Sequence, residues 1–144
     1  MKDTTTATEA LIHTIKVMSL FAVYTTIDQG DVANTLAEAA INQGLAACVQ
    51  LSDVNSIYRW QGVVEHATEI RIMFKTNQAQ LEPLRQLILS LHPYDLPAIH
   101  AVQLDHLHAP YAAWILQNSN GGNTEQAATG AGADAMLPPD ASLG

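Results

Sequence analysis

Two long strand-like runs, Leu45 to Tyr58 and Val63 to Lys75, are separated by little more than Gln61-Gly62. Glycine enters positive φ without steric cost, so this dipeptide reads as the turn of a long hairpin. Side chains alternate along a strand, which sets Ile70, Ile72 and Phe74 on one face of the second run. Glu69, Arg71, Met73 and Lys75 fall on the other. A hairpin apolar on one side must be packed on that side, and the flanking segments show with what.

Val17 to Thr26 is rich in apolar and β-branched residues and predicts a preceding strand. Asp28 is the expected cap of the next helix, with Asp31 favouring its positive end. Val32, Leu36, Ala40 and Ile41 form its apolar stripe, and Gly44 supplies a left-handed stop. After the hairpin, Asn77 and Gln80 resemble a capping box. Leu81, Leu84, Ile88 and Leu91 make a second buried stripe that ends before Pro93. Ala98 to Leu104 predicts a fourth strand, and Ala109 to Leu116 a short helix opened by Pro110. The order β-α-β-β-α-β plus a helix predicts an α+β, ferredoxin-like (split β-α-β) single domain with a long central hairpin. Both main helices then lie on one sheet face, and the other face needs a cover, most simply sister copies in a dimer or trimer.

The chain's 144 residues suffice for one domain with a real core. Residues 1–15, opened by Thr-rich sequence, predict a flexible arm; 16–118 are the folded unit; 119–144 are a Gly/Ala/Pro-rich tail that cannot offset its ordering entropy and is expected to be disordered. With 48% hydrophobic and 14% charged residues, some apolar surface is expected to be shared between subunits. Six Lys and Arg against a formal net charge of −8 would repel a phosphate backbone, which excludes nucleic acid as a partner. The apolar run Val17 to Val23 is too short for a membrane span and has no signal-peptide layout. One cysteine, Cys48, excludes an internal disulfide framework and fits a cytoplasmic setting.

At these landmarks the chain resembles the CutA family of divalent-cation tolerance proteins. The resemblance is carried, in order, by Val23-Tyr24-Thr25-Thr26, Leu45-Ala46-Ala47-Cys48-Val49, Ser56-Ile57-Tyr58-Arg59-Trp60-Gln61-Gly62, Phe74-Lys75-Thr76, His92-Pro93-Tyr94 and Tyr111-Ala112-Ala113-Trp114. It implies a ferredoxin-like protomer in a homotrimer and kinship of form with PII signalling trimers, whose inter-subunit clefts bind effectors. Asp95 stands where the family commonly has Glu, and Pro97-Ala98-Ile99 lacks the acid of the family's Pro-Glu-Ile. Members credited with copper take ligands from a Cys closing the first strand and a His-His pair before the Pro. Those positions here are Tyr24, Leu91 and His92, so one ligand of that set remains.

Cys48 lies in a small apolar run and reads first as a small hydrophobe. His92 can interact with the last carbonyls of its helix or serve as a metal ligand. His106 and His108, near His100 and Asp105, are an i, i+2 pair that an extended segment would point the same way, suiting Cu(II), Ni(II) or Zn(II). Lys75, Glu69, Tyr94, Asp95 and Trp114 form the expected inter-subunit cleft, with Lys75 meeting an acid and the aromatics as walls. Tyr58 and Trp60 read as packing anchors at a subunit boundary. Acylphosphatases share this element order but need an arginine in the loop after the first strand. Here Thr25 to Asp31 carries acids and no base, so no enzyme is expected.

The expectation is a non-enzymatic, divalent-cation tolerance (CutA-like) homotrimer acting in the response to metal ions, with copper or another divalent metal as the possible cofactor. The rival reading is a PII-like sensor binding a small metabolite between subunits, and a third is a structural trimeric scaffold.

Overall fold

The computed structural model describes residues 19–122 together with Ala7 and Glu9, so the rest of the expected arm and all of the tail beyond Gly122 lie outside the described residues. Four strands build one antiparallel sheet: β1 (Leu20–Ile27), β2 (Cys48–Trp60), β3 (Val63–Asn77) and β4 (Ile99–Gln103), in the order β2-β3-β1-β4. Helix α1 (Gly30–Asn42) links β1 to β2, α2 (Leu81–Leu91) links β3 to β4, and α3 (Ala109–Asn118) closes the chain. This is the split β-α-β arrangement, with β3 inserted between the two strands that α1 joins.

The hairpin is unbroken: Cys48 pairs with Lys75 and every residue thereafter has a partner, to Trp60 opposite Val63. Its turn places Gln61 at φ 49° and Gly62 at φ 82°, the paired left-handed geometry that matches strand twist. The first strand begins later than the sequence predicts at its other end. Leu45 and Ala46 donate their N–H groups to Ala40 O and so close α1, and Ala47 N–H donates to Lys75 O of β3 just before the strand opens.

The core lies between the sheet and two helices. Val23, Ile27, Ile72 and Phe74 from β1 and β3 meet Leu36 and Ala40 of α1 and Leu84 and Ile88 of α2, all buried. The face of α1 is rotated from the expected stripe. Ala33, Leu36, Ala37 and Ala40 are buried, whereas Ile41 is 42% exposed. Small side chains let the helix approach the sheet closely at native packing density, so alanines and not Ile41 take the inner positions. The expected Asp28 cap is also corrected: β1 continues through Ile27, the cap residue is Gln29, and no side chain caps this helix. Asn77 does cap, but its Oδ1 accepts from Ala79 N–H to start a 3-10 turn, Gln78–Gln80, ahead of α2.

The second sheet face is partly covered by the chain itself. α3 packs on β1 and β3, with Ile115 fully buried. The fold also continues past residue 118. Ser119 is buried and its carbonyl and hydroxyl oxygens accept from Asn77 Nδ2 at 2.6 and 2.8 Å. Gly121 N–H then donates to Gly44 O at 2.9 Å. Gly44 sits at φ 67°, and a Cβ there would overlap the Gly121-Gly122 backbone. Glycine at this position is therefore required twice, by conformation and by space.

Candidate functional site

The part of the second sheet face that α3 leaves open ends in a cleft of about 670 Å³. Glu69 and Ala67 of β3 line its floor, Tyr58 and Trp60 of β2 one side, and Tyr94 and Asp95 the other. Asp28, directly after β1, also lines the cleft. The loop after α2 exists because Pro93 forbids further helix, and His92 already has extended geometry at φ −74°, ψ 129°.

Glu69 is only 6% exposed, and a carboxylate that deeply placed needs a donor. The Tyr94 hydroxyl supplies it, donating to Glu69 Oε2 at 2.7 Å. Burial first, then this bond and the Glu69 charge, push the Tyr94 phenol above its ordinary range, with Asp28 and Tyr58 adding smaller upward contributions. The donor thus stays protonated. His92 holds the loop from inside. Its Nε2 lies 2.9 Å from Thr26 O, its Nδ1 accepts the Tyr94 N–H at 3.2 Å, and its ring meets Tyr94 edge-on at 4.7 Å.

The five residues expected to share one cleft separate into two groups. Glu69, Tyr94 and Asp95 line the cleft just described. Lys75 is six residues along β3, which at strand rise is about 20 Å away. Its Nζ donates to the Tyr111 hydroxyl at 3.0 Å, and Tyr111 stacks on Trp114 at 5.9 Å. Within one protomer Lys75 therefore meets a phenol of α3, because α3 folds over that end of the sheet. Between the two groups, Tyr24 stacks on His100 at 5.2 Å and the Arg71 guanidinium lies over the Tyr24 ring at 5.3 Å. This row and the cleft position of Asp28 were not read from the sequence. The signal for Asp28 was present, an acid at the carboxyl end of a strand, but it was assigned to helix capping.

The metal candidates are placed as follows. His106 has φ 55°, so the segment is not extended and the expected alignment with His108 fails. Both side chains are exposed, and among the described residues no three His, Cys, Asp or Glu side chains group as a metal site. The donor set implied for copper does not fit either. Tyr24 is engaged with His100 and Arg71, Leu91 offers no donor atom, and both ring nitrogens of His92 are already used. Cys48 is free and half-buried, opposite Lys75.

Sheet order, hairpin and cleft define a ferredoxin-like α+β protein whose open sheet face carries an acidic, aromatic pocket. Within that class the chain belongs to the family described as CutA1 divalent ion tolerance protein, whose model matches residues 21–118. The divalent-cation tolerance protein CutA of Thermus thermophilus is 35% identical over 98 residues, covering 67% of this chain and 95% of that protein. A CutA homolog of Xenopus laevis is 33% identical over 98 residues, and the match spans 65% of that longer protein. Among solved structures, CutA from Synechococcus elongatus PCC7942 superposes with a TM-score of 0.69 at 35% identity, over 73% of this chain and 94% of that one. The solved divalent cation tolerance protein of Thermus thermophilus gives 0.68 at 33% identity, over 70% of this chain and 99% of that one. Among the described residues no helix is long and apolar enough to cross a membrane.

Proposed function

We propose that this divalent-cation tolerance family member works as a non-enzymatic homotrimer that meets cations at the cleft beside Glu69. The observation that carries the reading is the convergence of Asp28, Glu69 and Asp95, against the one cation Arg59, on one aromatic-walled cleft in a chain of net charge −8. Such a cleft focuses negative potential and raises the local cation concentration. Its carboxylates line the walls without forming a chelating group, so the cation it suits is a hydrated divalent ion, copper included, held through its water shell. Trimer formation is supported by apolar surface that one protomer leaves bare: Ile57, Val63 and Val64 on the hairpin are 68%, 58% and 51% exposed. A cytoplasmic setting belongs to the same proposal and rests on the single cysteine. A relative from Archaeoglobus fulgidus is described as periplasmic and one from Arabidopsis thaliana as chloroplastic.

A second reading, a PII-like sensor of a small metabolite, is favoured by one feature. The cleft's volume of about 670 Å³ lies inside the range of small-molecule sites, and Tyr58, Trp60 and Tyr94 give it aromatic walls.

Native mass spectrometry and sedimentation equilibrium of the full chain test both. The expected mass is three times the 15.5 kDa of one chain. Calorimetric titration with Cu(II), Zn(II) and Mg(II) should show binding that Glu69→Gln and Asp95→Asn weaken. A retained small molecule that survives chelation would transfer the cleft to the second reading, and a lone polypeptide at micromolar concentration would remove the trimer.

A further inference from the structure

The position that the family resemblance assigns to a copper ligand is occupied here by a histidine whose two nitrogens are both spent on the fold. We propose that His92 is a positioning residue, not a metal ligand: it bridges Thr26 and Tyr94 and thereby sets the Tyr94 phenol on Glu69.

The hydrogen-bond chemistry fixes the ring's state. The partner of Nε2 is the Thr26 carbonyl, which can only accept, so Nε2 carries the proton. The partner of Nδ1 is the Tyr94 backbone N–H, which can only donate, so Nδ1 keeps its lone pair. The neutral Nε2–H tautomer alone satisfies both contacts. A metal ion would need a free lone pair on one nitrogen. The Nδ1 pair is taken by the loop, and binding through Nε2 would cost that nitrogen its proton and its bond to β1.

Geometry shows what the bridge accomplishes. Thr26 lies near the end of β1, whereas Tyr94 follows α2, five residues before Ile99 pairs with Thr25. Pro93 fixes φ between the ring and Tyr94, leaving few conformations for the dipeptide. The edge-on contact of the His92 and Tyr94 rings restricts the phenol further. With the loop pinned to β1, the hydroxyl arrives 2.7 Å from Glu69 Oε2 on the neighbouring β3. His92, at one of the copper positions, thus supports the cleft wall through Tyr94 without itself lining the cleft. The bridge stands independently of cation binding; its consequence for ligands rests on the cleft reading.

The test uses the full chain labelled with ¹⁵N, near neutral pH. Long-range ¹H–¹⁵N spectra are expected to show His92 as the Nε2–H tautomer and the Tyr94 amide exchanging slowly. Equimolar Zn(II) should leave both His92 nitrogen shifts in place. His92→Ala should speed Tyr94 amide exchange by about tenfold or more. His92→Asn, whose side-chain oxygen can replace Nδ1 as acceptor, should restore part of that protection. Should the alanine variant fail to fold, the wild-type tautomer and the asparagine variant still decide. An Nδ1–H tautomer, His92 shifts displaced by Zn(II), or unchanged Tyr94 exchange in the alanine variant overturns the proposal. Absence of cation binding with the tautomer and protection intact would sink the cleft reading and leave this one standing.

Discussion

The Tyr94 hydroxyl and the Glu69 carboxylate, 25 positions apart in sequence, meet at 2.7 Å across the boundary between β3 and the loop after α2. The contact joins β3, an inner strand of the sheet, to a segment with no regular structure. It gives an otherwise exposed loop a defined place over the open sheet face.

Removing the donor leaves a buried carboxylate oxygen without its partner. Tyr94→Phe is therefore expected to cost about 1–3 kcal/mol in urea unfolding. Glu69→Gln keeps an oxygen for the phenol to donate to and should cost less than Tyr94→Phe. The reverse order would mean that Glu69 is held by something other than Tyr94.

The same pair predicts an alkaline dependence. The folded-state pKa of Tyr94 is raised above the ordinary 10.0, so the folded protein holds this proton more tightly than the unfolded chain. Stability is then unaffected below that value and declines as pH rises above it. In Tyr94→Phe the alkaline decline should be shallower, read as the midpoint of urea unfolding against pH.

At acid pH the sign reverses for Glu82. Its bond to Arg85 first, then that to Gln86, lowers its pKa from 4.5 to about 2. The stabilisation it contributes is present above 4.5 and is lost as pH falls towards 2. Both side chains are exposed, so Glu82→Gln should shift unfolding midpoints only slightly and flatten this acid limb.

Two glycines separate conformational strain from steric overlap. Gly62 has φ 82° with open space around it, whereas Gly44 has φ 67° and the Gly121-Gly122 backbone against it. Gly62→Ala should cost about 1 kcal/mol from strain alone. Gly44→Ala should cost more and should loosen α3, seen as faster amide exchange from Ile115 to Gly121.

Core and assembly should respond to different substitutions. Phe74→Ala, at a fully buried site, is expected to cost about 3–5 kcal/mol. Ile57→Asp, at a residue 68% exposed, should leave the protomer's far-ultraviolet circular dichroism unchanged while lowering the mass seen by light scattering. An unchanged mass would place the subunit boundary elsewhere.

Much of the architecture was legible because it depends on local chemistry. The alternation of Ile70, Ile72 and Phe74, the turn at Gln61-Gly62 and the stops at Gly44 and Pro93 each have a cause within a few residues. The errors arose where distant parts of the chain competed for a residue. Asp28 could cap a helix, but β1 runs to Ile27 and the side chain is left to line the cleft. Ile41 has the right chemistry for the core, yet the packing of alanines against the sheet turned it outward. The candidate site followed the same division: its residue types were recognised, but not which of them meet.

By itself, the sequence determined the element order, the long hairpin and the acidic, weakly basic character of the surface, since propensity, period and charge are properties of neighbours along the chain. Only the tertiary structure decided that α3 would claim Lys75 through Tyr111, and that His92 would be spent joining Thr26 to Tyr94. Those partners lie 36 and 66 positions away, so their pairing is fixed by how helices pack on the sheet and by no local preference.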